Sequence, residues 1–165
     1  MAKVLSIDHE KCTGCRTCEM VCSVKHDGVL NPERSRIKVM KWEPDGLYVP
    51  MSCQQCQDAP CMNVCPVKAI SRDEHMGRVE VDYDVCIGCR SCVAVCPFGA
   101  MNFNVTDRKV FKCDLCDGDP QCVRFCDVKA VDYIDADRVA VDKKRLAAEK
   151  MSVARKDAAV LFGHL

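Results

Sequence analysis

Twelve residues, Cys86 to Pro97 (CIGCRSCVAVCP), constrain this chain more than any other stretch in it. Cys86, Cys89 and Cys92 recur every third residue, Cys96 follows after three more, and Pro97 closes the run. Three thiolates at that spacing wrap one [4Fe-4S] cube, while the last cysteine serves a neighbouring cube. One copy of the motif therefore implies a second cluster nearby. The chain supplies three more copies: Cys12, Cys15, Cys18 and Cys22; Cys53, Cys56, Cys61 and Cys65; and Cys113, Cys116, Cys122 and Cys126. All sixteen cysteines are used. Two residues between thiolates let both reach one metal core, and the fourth thiolate sits a helical turn further on, facing the other way.

Competing uses of cysteine fit less well. Sixteen cysteines in 165 residues reach the density of disulfide scaffolds, but the opening MAKVLSIDHEKC has no apolar secretory segment and the CxxC spacing is that of metal ligands. Four-cysteine zinc sites take two CxxC pairs separated by a longer loop, whereas here the cysteines bunch four times over, and none of the four histidines stands in a ligand slot. Apolar residues make up 48% of the chain, yet sixteen of them are cysteine, leaving thin aliphatic cores for lobes this small. Metal binding is then largely folding free energy, and the apo chain is expected to be poorly folded. Balanced charge, 24 basic against 24 acidic residues, leaves no electrostatic footprint for nucleic acid. With neither a twin arginine nor a membrane-length apolar run, the expected location is the cytoplasm, without a membrane anchor.

The motifs repeat in pairs. CTGCRTCEMVC mirrors CIGCRSCVAVC, with Ile7-Asp8 and Val81-Asp82 equally placed ahead of them, so motifs one and three are equivalent. Motifs two and four are equivalent as well: Cys65-Pro-Val-Lys-Ala-Ile resembles Cys126-Asp-Val-Lys-Ala-Val, and GRVEVD (77–82) resembles DRVAVD (137–142). The chain reads as a duplicated unit. Alternating runs at 4–8, 78–82 and 138–142 predict brief strands, and short helices are expected near each third cysteine. The fold class is α+β with sparse secondary structure. An insertion, 23–51, holds a candidate hairpin around Pro44-Asp45-Gly46 and the single tryptophan, Trp42, either a partner-facing anchor or ordinary packing. After Asp142, Leu146, Met151, Ala154, Ala158 and Leu161 share one face of an expected amphipathic helix, read as a clamp on another subunit.

Taken together, CTGCRTCEMVC, CQQCQDAPCMNVCP, CIGCRSCVAVCPFGA and DRKVFKCDLCDGDPQCVRFC resemble the four-cluster ferredoxins that serve as electron-transfer subunits of molybdenum and tungsten oxidoreductases, among them dimethyl sulfoxide reductase and formate dehydrogenase. The resemblance implies two pseudo-symmetric two-cluster lobes, one of 1–30 plus 107–142 and one of 47–106, while the residue pattern places the inserted hairpin at 31–46 and the C-terminal helix at 143–165. It implies four [4Fe-4S] clusters, held by Cys12, Cys15, Cys18 and Cys126; by Cys22, Cys113, Cys116 and Cys122; by Cys53, Cys56, Cys61 and Cys96; and by Cys65, Cys86, Cys89 and Cys92. The chain departs from the family at Asp127, where proline is common; its absence is expected to loosen the turn after Cys126. Lys68 and Lys129, following motifs two and four, are candidate cations beside clusters, or simply solvated lysines.

His9, His26, His75 and His164 have no visible partner, and no nucleophile elbow or phosphate loop is present, so the chain is expected to move electrons rather than catalyse. The partner implied by the resemblance is a molybdenum or tungsten catalytic subunit, first of all that of a tungsten aldehyde oxidoreductase, with an acceptor such as an FAD/NAD-binding subunit or a ferredoxin. A benzoyl-CoA reductase, carbon monoxide dehydrogenase or formate dehydrogenase system is the alternative. A cluster row with two ends could also join further copies of the chain into a larger assembly, and a freely diffusing polyferredoxin is the competing reading.

Overall fold

A computed structural model describes residues 3–139 and Val141. Its strands are short and come in four antiparallel pairs: β1 (Lys3–Ile7) with β8 (Val131–Asp135), β2 (Ile37–Trp42) with β3 (Leu47–Ser52), β4 (Ile70–Arg72) with β5 (Val79–Val81), and β6 (Asn102–Asn104) with β7 (Lys109–Phe111). Isolated two-stranded ribbons are marginal in water, so these ribbons need something else to hold them. Four helices each begin at the residue before a third cysteine: α1 (Thr17–Asp27), α2 (Pro60–Asn63), α3 (Ser91–Val95) and α4 (Gln121–Arg124). Except for α1 they are a single turn or little more, too short to persist without tertiary support. Gly28, at φ 69°, ends α1 by donating its N–H to the Val24 carbonyl at 3.0 Å.

Two cores result. Ala59, Ile70, Val79, Cys92, Met101 and Val110 form one, with Cys56, Cys61, Cys65, Cys86 and Cys96 packed against it, so it is drawn from motifs two and three. Cys22, Ile37, Cys122 and Val131 form the other, backed by Leu5, Cys18 and Val123, from motifs one and four. Cysteine sulfur stands where a larger protein would place leucine or isoleucine. The β1–β8 register, Lys3 opposite Asp135 and Ile7 opposite Val131, carries the chain's opening strand to the residues after motif four.

Two expectations need correction. In the run at 138–142 the described Arg138, Val139 and Val141 are helical rather than extended, as are Ala136 and Asp137 before them. Val131–Asp135 follows motif four directly and already occupies β1 from Ile7 to Lys3, which leaves the following Ala-Asp-Arg-Val no partner for a ladder. The hairpin is real but shifted from 31–46 to 37–52, closing through a 3₁₀ turn at Glu43–Asp45 and Gly46 at φ 62°, with its second strand running straight into Cys53. Trp42, at the ribbon's end, is half-exposed. The helix expected at 143–165 lies outside the described residues.

Candidate metal centres

Each CxxC loop is bent the same way. The residue before its second cysteine is left-handed in all four: Gly14 (φ 71°), Gln55 (φ 50°), Gly88 (φ 68°) and Leu115 (φ 60°). That turn folds the loop back so both thiols face inward. At Gly14 and Gly88 glycine is needed twice over, since a Cβ would run into the Tyr48 ring or the Arg108 carbonyl. Gln55 and Leu115 accept a cost of roughly 1–2 kcal/mol for a left-handed L-residue, and each buries its side chain there. Arg16 and Arg90 are also left-handed and start their helices. Arg16 pairs with the buried Glu19 at 2.6 Å, whose other oxygen accepts the Val39 N–H at 2.6 Å, whereas Arg90 stacks 3.8 Å above the Phe103 ring.

The turns bring the cysteines together in fours. One cavity is lined by Cys12, Cys15, Cys18 and Cys126, a second by Cys53, Cys56, Cys61 and Cys96, and a third by Cys65, Cys86, Cys89 and Cys92. Cys22, Cys113, Cys116 and Cys122 are all buried, and the Cys122 thiol is pushed up by burial and then by the charges of Cys113, Cys22 and Cys116. Neighbouring groups touch electrostatically. Cys18 also acts on Cys122, and Cys53 on Cys113, which sets the Cys22 group beside both the Cys12 and the Cys53 groups, and the Cys53 and Cys65 groups pack against one core. Cys15, in the Cys12 group, and Cys89, in the Cys65 group, are the exposed cysteines, while Cys92 of the latter group is buried.

The donor set fits iron-sulfur clusters. Burial first pushes the thiols of Cys18 and Cys113 up to about 12, with the Glu19 carboxylate and then Cys15 adding at Cys18 and Cys53 at Cys113, and burial takes that of Cys92 to about 11. Four such groups can all be thiolates only if a metal takes the charge. Backbone N–H groups are already aimed at sulfur: Arg36 at Cys22 (3.3 Å), Ala69 at Cys65 (3.2 Å), Ala130 at Cys126 (3.2 Å) and Leu115 at Cys113 (3.5 Å). At the outer sites the Thr17 and Ser91 hydroxyls hold the Cys15 and Cys89 thiols below the usual value.

Several residues carry more than the sequence suggested. The turn after Cys126 keeps its form despite Asp127: Lys129 N–H reaches the Cys126 carbonyl at 3.2 Å, as Lys68 N–H reaches that of Cys65 at 3.2 Å, and the N–H···S bonds to the two cysteines match. The left-handed lysines (φ 53° and 52°), rather than proline, set that turn. Both lysines are exposed. His26, which showed no partner in the sequence, places Nε2 3.5 Å from Cys116 Sγ and 3.5 Å from Asp114 Oδ1, and Asp114 is in turn paired with Arg36. Burial, then Arg36, holds His26 below its ordinary value. Lys112, Gln55 and Glu19, all buried, had no sequence signal beyond lying beside or between cysteines. Among the described residues no helix is long and apolar enough to cross a membrane.

Residues 44–136 match the 4Fe-4S dicluster domain and residues 5–25 the 4Fe-4S binding domain. The chain is 46% identical to the polyferredoxin-like subunit of aliphatic sulfonate oxidoreductase of Pyrococcus furiosus, over 73% of this chain and 69% of that one. It is 37% identical to the electron transport protein HydN of Escherichia coli K12, over 98% and 100%, and 38% identical to one subunit of that organism's anaerobic dimethyl sulfoxide reductase, over 86% and 78%. Among solved structures, the active site complex BamBC of benzoyl coenzyme A reductase with 1,5-dienoyl-CoA contains a chain that superposes with a TM-score of 0.50 at 32% identity, covering 81% of this chain and 75% of that one. The sixteen cysteines and the two matched domains provide for four [4Fe-4S] clusters.

Proposed function

The chain belongs to the 4Fe-4S dicluster ferredoxin family, and on that premise we propose that it is the electron wire of a larger enzyme, relaying single electrons between a molybdenum or tungsten catalytic subunit and an acceptor such as a flavin subunit or a ferredoxin. The first choice of partner is a tungsten aldehyde oxidoreductase; a benzoyl-CoA reductase, carbon monoxide dehydrogenase or formate dehydrogenase partner is the alternative. Each cluster, when bound, accepts and returns one electron. The protein's part is to hold four of them in file. Cys12, Cys15, Cys18 and Cys126 are assigned to one, followed by Cys22, Cys113, Cys116 and Cys122, then Cys53, Cys56, Cys61 and Cys96, and last Cys65, Cys86, Cys89 and Cys92. Each motif of one two-cluster lobe lends its fourth thiolate to its lobe mate, which makes the two sites parts of one fold.

The observation that carries this reading is that four sets of four cysteines lie on one chain, and that the two exposed cysteines, Cys15 and Cys89, belong to different sets. Each opens beside apolar side chains that water does not favour: Phe125 and Val128 in the cavity of Cys15, Ile87 in that of Cys89. Two open sites suit a protein seated between a donor and an acceptor. Relatives named as subunits of oxidoreductases support the same placement. Anaerobic purification from the native cell tests it. A large subunit bearing molybdenum or tungsten should co-purify; a lone monomer with a full iron complement would establish a diffusing carrier instead.

A further inference from the structure

Lys112 is 3% exposed and forms no ion pair among the described residues. Its Nζ donates to three oxygens: the Val79 carbonyl, the Cys113 carbonyl at 2.7 Å and Gln55 Oε1 at 3.5 Å. Three acceptors and no donor require an ammonium with all three protons, so a whole positive charge is enclosed without a carboxylate. Gln55 completes the arrangement. Its Nε2 donates to the Cys113 carbonyl at 2.9 Å and its Oε1 accepts the Val79 N–H at 2.8 Å, fastening the motif-two loop to the start of motif four.

The position of this charge is the point. Lys112 lines the cavity of Cys53, Cys56, Cys61 and Cys96, and it is covalently next to Cys113 of the adjoining group. The repeat does not reproduce it. The residue before the first cysteine of motif two is Ser52, buried like Lys112 but neutral, with its hydroxyl unbonded among the described residues. Lys68 and Lys129 are exposed to solvent and screened.

Resting on the ligand assignment above, we propose that Lys112 is a positioning charge shared by the two inner [4Fe-4S] sites: it favours their reduced forms, leaves the outer two unaffected, and makes the middle of the row the place where an electron rests. A cation enclosed in a medium of low dielectric acts on an added electron far more strongly than one at the surface. The test is an EPR-monitored redox titration of the intact, iron-replete protein with Lys112→Gln, which keeps a donor and drops the charge, and Lys112→Arg, which keeps the charge. Lys112→Gln should lower two of the four midpoints, each by at least a tenfold fall in the reduced-to-oxidised ratio at fixed potential, about 59 mV for a one-electron couple; Lys112→Arg should restore them. Gln55→Glu, which sets a carboxylate against an intact Lys112, should lower the same two. Four unmoved midpoints, or four that fall alike, would overturn the proposal, and so would loss of iron from both neutralising variants, which would make Lys112 a structural pin. Failure of the ligand assignment would look different: the unmodified protein would lack four [4Fe-4S] signals from the outset, whereas failure of the wire reading would leave all four signals in a lone monomer.

Discussion

Gly88 offers a measurement of how closely the backbone must approach the motif-three loop, because the protein contains its own control. Gly28 and Gly88 have nearly the same left-handed conformation, φ 69° and 68°, but a Cβ at Gly28 meets nothing within 4 Å whereas one at Gly88 meets the Arg108 carbonyl. Replacing either by alanine costs roughly 1–2 kcal/mol for the left-handed L-residue, of which about 0.4–1 kcal/mol is returned through the unfolded chain. Gly88→Ala adds the overpacking term, about 1–3 kcal/mol, since a backbone carbonyl cannot swing aside as a side-chain tip can. At 1.4 kcal/mol per factor of ten, that difference makes local opening of the loop roughly 5- to 140-fold more frequent than in Gly28→Ala. The assay is anaerobic iron release to a chelator in excess. Gly88→Ala should shed one cluster's worth, about four of sixteen irons, in a phase faster by that factor, while Gly28→Ala tracks the unmodified protein within a few-fold. Equal release from the two variants would refute the close-approach argument.

Gly14 differs in a telling way, because its Cβ would meet the Tyr48 ring rather than backbone; Gly14→Ala should therefore be largely rescued by Tyr48→Ala, read by the same iron-release assay. Iron loading should tighten as pH rises: the folded, loaded state holds thiolates where the free cysteine, with an ordinary value of 9.0, holds protons, so the unfolded chain binds more protons and stability climbs with pH until that value is reached. Competition titrations with a chelator at several pH values check the slope, and a flat profile would contradict it. Ile37→Ala removes a side chain only 2% exposed from the core of Cys22, Cys122 and Val131 and should cost about 2–5 kcal/mol in anaerobic denaturant unfolding. Lys68→Gln and Lys129→Gln, at exposed positions, should leave stability within about 0.5 kcal/mol and all four potentials in place.

The chain's own letters reveal its metal sites and conceal much of what surrounds them. Cysteine spacing showed the motifs because ligand geometry forces the spacing, the resemblance to four-cluster ferredoxins supplied which motif shares sites with which, and the helices at each third cysteine follow from the same geometry. The pairing of β1 with β8 was hidden, since five-residue strands at opposite ends of the described chain, Ile7 facing Val131, carry no local mark of their partner. DRVAVD alternates as well as GRVEVD does, and only the prior claim of Val131–Asp135 on β1 turns the following residues helical. Lys112 reads as one more surface lysine in KVFKC; its burial is set by Gln55 and Val79, 57 and 33 residues away. Lys68 and Lys129 attracted attention by standing at matched places in the repeat, and matched they are, but as turn formers in solvent.

The left-handed residue in each CxxC loop has an evolutionary corollary. The molecule carries four copies of one awkward bend, and the two that are bare are crowded by a ring or a carbonyl. The other two were free to carry a side chain, and natural variation could fill them with whatever the interior wanted: oil in one instance, Leu115, and in the other an amide, Gln55, that fastens neighbouring motifs. Specialisation of a symmetric ancestor should thus be sought first at these bends, where a single codon changes what sits between iron sites without moving the sulfur that holds them.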